Sequence, residues 1–212
     1  MMISYRLQRG LQMLMLLTLL WFSANLAAAT PQPILLVLGD SLSAAYGINE
    51  ADGWVALLQQ RLSHDNRPYR VVNISSSGET SQGGLSRLPA ALEQYQPQLL
   101  VLALGANDGL RGSSLEQLKR NLEAMIQLAQ QHNSQVLLVG MRLPPNYGAL
   151  FNQKFHAIYH QLAQQYALPL VPFLLEKIAH NNNYFQADGL HPRAVAQPLL
   201  LNAVWPQLEP LL

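Results

Sequence analysis

Two kinds of segment alternate along the chain. Short apolar runs occupy residues 34–38 (ILLVL), 70–74 (RVVNI), 99–104 (LLVLAL), 135–140 (QVLLVG) and, more briefly, 170–171. The first stops at Gly39, the second at a run of serines and the third at Gly105. Continuous runs bounded in this way predict strands buried on both faces. Between them, apolar residues recur at helical spacing. Trp54, Leu57, Leu58 and Leu62 form one stripe, and Leu85, Leu88, Leu92 and Tyr95 a second. A third opens with Ser114 and Gln117 at the spacing of a capping box and continues through Leu115, Leu118, Leu122, Met125 and Ile126. Phe151, Phe155, Ile158, Tyr159 and Leu162 form a fourth. A last helix is predicted after His191, with Pro192 in its first turn and with Pro198 and Pro206 bending or interrupting it.

This alternation of strand and helix predicts an α/β fold with a mainly parallel sheet, helices on both of its faces and right-handed crossovers. Residues 30–212 carry no internal repeat, linker or low-complexity tract, and are expected to form a single domain.

Residues 1–29 break the pattern. Arg6 and Arg9 precede an almost wholly apolar run over 11–22 (LQMLMLLTLLWF), and small residues follow, with Ala27 and Ala29 in an A-x-A arrangement. That order is the order of a secretory signal peptide, expected to be cleaved after Ala29. The run falls short of the roughly 20 apolar residues that a spanning helix needs. The expectation is an exported protein, periplasmic or secreted, with no stable membrane insertion once the segment is removed.

Charge and composition narrow the function. Arg6 and Arg9 leave with the signal, so a net charge of +1 becomes −1. A nearly neutral product has no general attraction to phosphates, which argues against a nucleic-acid partner. Half of the 212 residues are hydrophobic and 12% are charged, enough apolar material for a sizeable core and far from a disordered composition. The absence of cysteine excludes disulfides, thiolate metal sites and a cysteine nucleophile.

In an open parallel sheet, ligands bind beyond the carboxyl ends of the strands, near the point where the strand order reverses. Three such ends here carry small or polar residues: Gly39-Asp40-Ser41-Leu42-Ser43, the stretch from Asn73 to Thr80 (NISSSGET), and Gly105-Ala106-Asn107-Asp108-Gly109. Far downstream stands Asp188-Gly189-Leu190-His191-Pro192, a carboxylate and an imidazole able to meet across one tight turn. There an aspartate can fix the tautomer of the histidine and leave the other ring nitrogen as a base. A serine at a strand end would supply the nucleophile. Donors for a developing oxyanion would be the Ser41 backbone N–H, the Gly78 N–H, which no Cβ obstructs, and the Asn107 carboxamide.

Each residue also has a plainer reading. Ser41 alone reads as a helix cap, Asp188 and His191 as a turn and a solvated helix start, Asn107 as a turn former and Gly78 as a positive-φ glycine. Only their shared placement on one rim favours chemistry. His156 and His160 have a metal-compatible spacing but no third ligand in a motif, and read as a solvated helix face. His64, His132 and His180 read as surface residues. GxGxxG, the Walker A loop and the GxSxG elbow are all missing, so a serine hydrolase here must place its nucleophile by another route.

Four blocks in order, Gly39-Asp40-Ser41, Gly78, Gly105-x-Asn107-Asp108 and Asp188-x-x-His191-Pro192, resemble those of the GDSL or SGNH hydrolase family over nearly all of residues 30–212. The stretches LGDSLSAAYG, SGETSQGGLSRLPA, GANDGLRG, RLPPNYG and DGLHP resemble a periplasmic bacterial branch with thioesterase, lysophospholipase and arylesterase activity. The resemblance implies a flavodoxin-like three-layer fold with a five-stranded sheet, a Ser41–His191–Asp188 triad and an oxyanion hole from Ser41, Gly78 and Asn107. It also implies a small-molecule acyl ester or thioester as substrate and calls for no metal or cofactor. Leu110, Leu143, Pro144 and Tyr147 would flank the rim and are apolar enough to line an acyl groove, although they would serve equally to pack the loops. A monomer is the expected state. A carbohydrate O-acetyl esterase and a catalytically silent binding module remain as rivals on the same scaffold.

Overall fold

A computed structural model describes residues 32–212; the segment read as an export signal, 1–29, lies outside them. The five strands are β1 (Ile34–Gly39), β2 (Arg70–Asn73), β3 (Leu99–Ala103), β4 (Gln135–Val139) and β5 (Leu170–Val171). All pair in parallel, in the order β2-β1-β3-β4-β5. Leu36 pairs with Val72 on one side and Leu100 on the other, so β1 runs through the middle of its neighbours. Leu35–Leu38 and Leu99–Leu104 are buried throughout, which is why these strands read as unbroken apolar runs rather than alternating ones. β2 lies at the edge; Arg70 is exposed and the rest of the strand only half-buried.

The helices are α1 (Trp54–His64), α2 (Ser81–Tyr95), α3 (Ala106–Leu110), α4 (Leu115–Gln131), α5 (Ala149–Gln165) and α6 (Gln197–Leu208). α1 and α6 pack on each other, and α2, α4 and α5 form a second group. Right-handed crossovers put these groups on opposite faces, because the chain moves one way from β1 to β2 and the other way from β2 to β3. The reversal falls between β1 and β3, so the loops that leave these neighbouring strands diverge and open a crevice. The loop after β1 carries Ser41, and the first turn of α3, which follows β3 directly, carries Asn107.

Local chemistry accounts for most of the boundaries. Ser114 caps α4 by accepting from the Gln117 N–H, as the motif predicts. The return half of the box is not made: the Gln117 side-chain oxygen accepts from Arg120 Nη2 instead, and its nitrogen donates to Asn121. Gly105 has φ +118°, and a Cβ there would overlap the Tyr159 hydroxyl, which donates to Leu104 O at 2.9 Å. The glycine lets β3 turn sharply into α3, a short helix with no signal in the hydrophobic pattern.

The last helix departs from expectation. It begins at Gln197, not directly after His191. Pro192 lies instead in an extended pairing with Phe185, where Gln186 N donates to His191 O at 2.8 Å and Arg193 N to Tyr184 O at 2.7 Å. That pairing holds His191 at a bend outside the helix. Pro198 sits in the first turn of α6, where its missing N–H costs nothing. Pro206 does not end the helix either. The carbonyl it leaves without an intrahelical donor, that of Asn202, accepts from Lys177 Nζ at 3.2 Å.

Candidate active site

β1 delivers the chain into a tight turn. Asp40 O accepts from the N–H groups of Ser43 (3.1 Å) and Ala44 (2.9 Å). The Asp40 carboxylate, itself buried, accepts from the Leu42 N–H at 3.0 Å. Both ends of the turn are therefore tied to Asp40, and Ser41 stands at its crest. No helix starts there, so the reading of Ser41 as a cap falls away.

His191 reaches Ser41 from the other end of the chain. The Ser41 Oγ to His191 Nε2 distance is 2.9 Å, and His191 Nδ1 lies 2.6 Å from Asp188 Oδ2. The second carboxylate oxygen of Asp188 accepts from the backbone N–H groups of Leu190 (2.9 Å) and His191 (3.0 Å). The His191 N–H, then the His191 ring and the Leu190 N–H, hold the Asp188 carboxyl down to about 2. An ionised Asp188 accepts from Nδ1–H, which leaves Nε2 free to accept from the Ser41 hydroxyl.

The two other loops meet the first. Gly78 turns at φ +76°, and its carbonyl accepts from Arg111 Nη2 at 2.9 Å. Asn107 opens α3; its Nδ2 donates to Glu79 O at 2.9 Å and lies 3.4 Å from Asp40 Oδ2. The bond to Glu79 anchors the carboxamide, and the contact with Asp40 is long and weak. Buried Asp108 accepts from Ser81 N (2.8 Å) and Ser81 Oγ (2.6 Å), which pins α3 to the start of α2. Arg87 braces the second loop through Glu79 and the Ile74 carbonyl. Neither Asp108 nor Arg87 was singled out from the sequence, although the Asn107-Asp108 pair stood in a noted motif.

A groove of about 650 Å³ runs from Ser41 and His191. Leu110, Leu143 and Pro144 line it. Tyr147 is not among its lining residues; its hydroxyl donates to Leu110 O at 3.2 Å and so fixes the loop that carries a wall residue. The other wall, with Phe173, Leu175, Ala179, Phe185 and Leu190, was not foreseen. It comes from the irregular segment after β5, whose apolar residues follow neither strand nor helix periodicity. His180 is exposed, as read from the sequence, and also lines the groove. His156 and His160 stand with their Nε2 atoms 3.2 Å apart, and His156 Nδ1 lies 3.1 Å from Met141 O.

The sequence model of the GDSL-like lipase/acylhydrolase family matches residues 37–197. The chain belongs to that family. Esterase TesA of Pseudomonas aeruginosa is 52% identical over 178 residues, 84% of this chain and 89% of its own. A crystal structure of TesA superposes with a TM-score of 0.83, covering 84% of this chain and 99% of that one. Thioesterase 1/protease 1/lysophospholipase L1 of Escherichia coli strain K12 is 44% identical over 177 residues, 84% of each chain. The psychrotrophic esterase EstA from Pseudoalteromonas sp., solved inhibited by monoethylphosphonate, has a TM-score of 0.80 at 38% identity, covering 84% of this chain and 97% of its own.

The Gly-Asp-Ser block of this GDSL acylhydrolase carries an electrostatic cost. Burial pushes the Asp40 carboxyl up to about 6, only partly offset by the Leu42 N–H and by His191. For this acid the folded value lies above the ordinary 3.8. The folded state therefore binds more protons between about pH 4 and 6, and stability falls as pH rises through that window. Asp40→Asn removes the titration. Its stability relative to the parent is expected to rise by about 2–3 kcal/mol between pH 4 and pH 8, at roughly 1.4 kcal/mol per pH unit. Urea unfolding at the two pH values measures it, and a difference that does not change with pH refutes the assignment.

Proposed function

We propose that Ser41 is the nucleophile, His191 the general base and acid, and Asp188 the residue that orients His191. The chain is an ester and thioester hydrolase of the GDSL family. The observation that carries the residue roles is the unbroken hydrogen-bonded relay from Asp188 through His191 to Ser41, at 2.6 and 2.9 Å. Ser41 Oγ attacks the acyl carbonyl while His191 Nε2 takes its proton. The tetrahedral oxyanion is held by the N–H groups of Ser41 and Gly78 and by the Asn107 carboxamide, which gives up its long contact with Asp40. His191 passes the proton to the departing alkoxide or thiolate. Water, deprotonated by the same nitrogen, then attacks the acyl-enzyme and releases the acid.

The acyl chain lies in the groove. Its walls, Leu110, Leu143, Pro144, Phe173, Leu175 and Leu190, offer apolar surface over a volume in the range of small-molecule sites. A site for acetylated sugars would need polar groups in their place. The test is kcat/KM for p-nitrophenyl esters of graded length. Octanoyl or longer is expected to exceed acetyl by at least about tenfold, since each buried methylene adds about 0.8 kcal/mol before steric limits intervene. A maximum at acetyl, with no turnover at octanoyl, establishes the O-acetyl esterase instead.

Export is part of the proposal. It rests on Arg6, Arg9, the apolar run over 11–22 and the Ala27-x-Ala29 site. Among the described residues no helix is long and apolar enough to cross a membrane. The relay and both groove walls come from one chain, which supports action as a monomer.

A further inference from the structure

We propose that Tyr46 is the surface on which the leaving group rests, and that it favours aryl over alkyl leaving groups. The inference rests on the reading of His191 as the acid that protonates that group. Tyr46 is a large apolar side chain left 50% exposed. Its ring centroid lies 4.4 Å from that of His191, with the planes at 42°. His191 lines the acyl groove, and Tyr46 does not. A carbonyl at Ser41 whose acyl chain fills the groove therefore turns its other substituent away from Leu110 and Leu143. It turns toward the open side of the imidazole, where Tyr46 stands.

The loop that presents this ring is held against its own preferences. Ala45 (φ +57°) and Gly47 (φ +72°) flank Tyr46 in the left-handed region, which a residue with a Cβ avoids. Tyr46 N donates to Ser41 O at 3.2 Å. Gln186 Nε2 donates to Tyr46 O at 2.8 Å and to Pro192 O at 3.2 Å, which ties the loop to the segment carrying His191. Gly47 has a φ that favours glycine, and a Cβ there would displace the Gln186 carboxamide from these bonds. The backbone thus fixes the ring relative to both the nucleophile and the base, yet leaves its face open to solvent.

In acylation the bond from Ser41 Oγ to the acyl carbon forms and the bond from that carbon to the leaving oxygen breaks. The proton that His191 took from Ser41 passes to the leaving oxygen. That oxygen must come within hydrogen-bond reach of Nε2. An aromatic ring attached directly to it then lies beside the imidazole, against Tyr46, and gains an aromatic pair that an alkyl group lacks.

The test compares kcat/KM, which reports the steps through acylation, for 2-naphthyl octanoate and ethyl octanoate, so that the acyl group is the same. In Tyr46→Leu the ratio of naphthyl to ethyl is expected to fall about three- to tenfold, the worth of one aromatic pair. Tyr46→Phe and Tyr46→Trp keep an aromatic face and are expected to hold the ratio within twofold of the parent or above it. A ratio unchanged in Tyr46→Leu overturns the proposal, whether both rates fall together or neither moves. So does a ratio that falls as far in Tyr46→Trp as in Tyr46→Leu. Ser41→Ala, assayed alongside, answers a separate question: hydrolysis retained there overturns the triad, whereas the leaving-group ratio alone decides the role of Tyr46.

Discussion

Ser41→Ala is expected to lower ester and thioester hydrolysis by about 10⁴-fold or more while leaving the fold intact. The size of the effect follows from the geometry. Ser41 Oγ is the only atom of the relay positioned to bond to an acyl carbon, and the His191 nitrogen 2.9 Å away has nothing else to deprotonate but water. The oxyanion donors remain in the variant, so a small residual rate over solution hydrolysis is expected. The side chain makes no packing contribution that alanine could not supply, because the turn is held by Asp40 through backbone N–H groups. Far-ultraviolet circular dichroism and the thermal midpoint should match the parent. Covalent labelling by a fluorophosphonate should be lost with the activity. A variant that keeps more than a few per cent of the parental rate ends the assignment of Ser41.

Asp188→Asn is expected to lower kcat by about 10³–10⁴-fold. One oxygen of Asp188 accepts from two backbone N–H groups and the other from the His191 ring. An asparagine keeps the first role with its oxygen and turns its NH₂ toward Nδ1. Nδ1 must then accept, the ring proton moves to Nε2, and Nε2 can no longer take the proton of Ser41. The charge itself is secure in the parent, since the His191 N–H and its companions hold the carboxyl at about 2. Because this value lies below the ordinary 3.8, ionised Asp188 adds stability above about pH 4 and loses it as pH falls through about 2. Acid unfolding of the parent should therefore include a step between these values that the asparagine variant lacks. A variant retaining more than a tenth of the parental kcat shows that the carboxylate does not set the tautomer.

How much of this was legible in the sequence differs from element to element. β1, buried from Leu35 onward, and fully buried β3 stood out because a strand covered on both faces needs apolar side chains at every position. The edge strand β2 was found from its β-branched residues. α3 was missed because a helix of one turn cannot show a periodicity, and its existence depends on Gly105 yielding to Tyr159 from a distant helix. The start of α6 was misplaced because a proline after His191 resembles a helix opening. The pairing of Phe185 with Pro192 overrides that local signal. The far wall of the acyl groove was invisible because loop residues are brought together by their anchors, not by their spacing.

The sequence by itself determined the fold class, the strands that build the sheet and the set of residues able to do the chemistry. These follow from burial and from functional groups, both of which are written residue by residue. Only the tertiary structure decided which of the groups meet. Ser41 and His191 are 150 positions apart, and their hydrogen bond exists because the reversal of strand order opens a crevice beside β1 while the irregular segment after β5 returns to it. The same folding set the Asp40 carboxyl in a dry turn, left Tyr46 exposed against the base and moved Tyr147 out of the groove. Distances between groups remote in sequence, and the solvent each retains, are properties of the packed chain and of no shorter stretch of it.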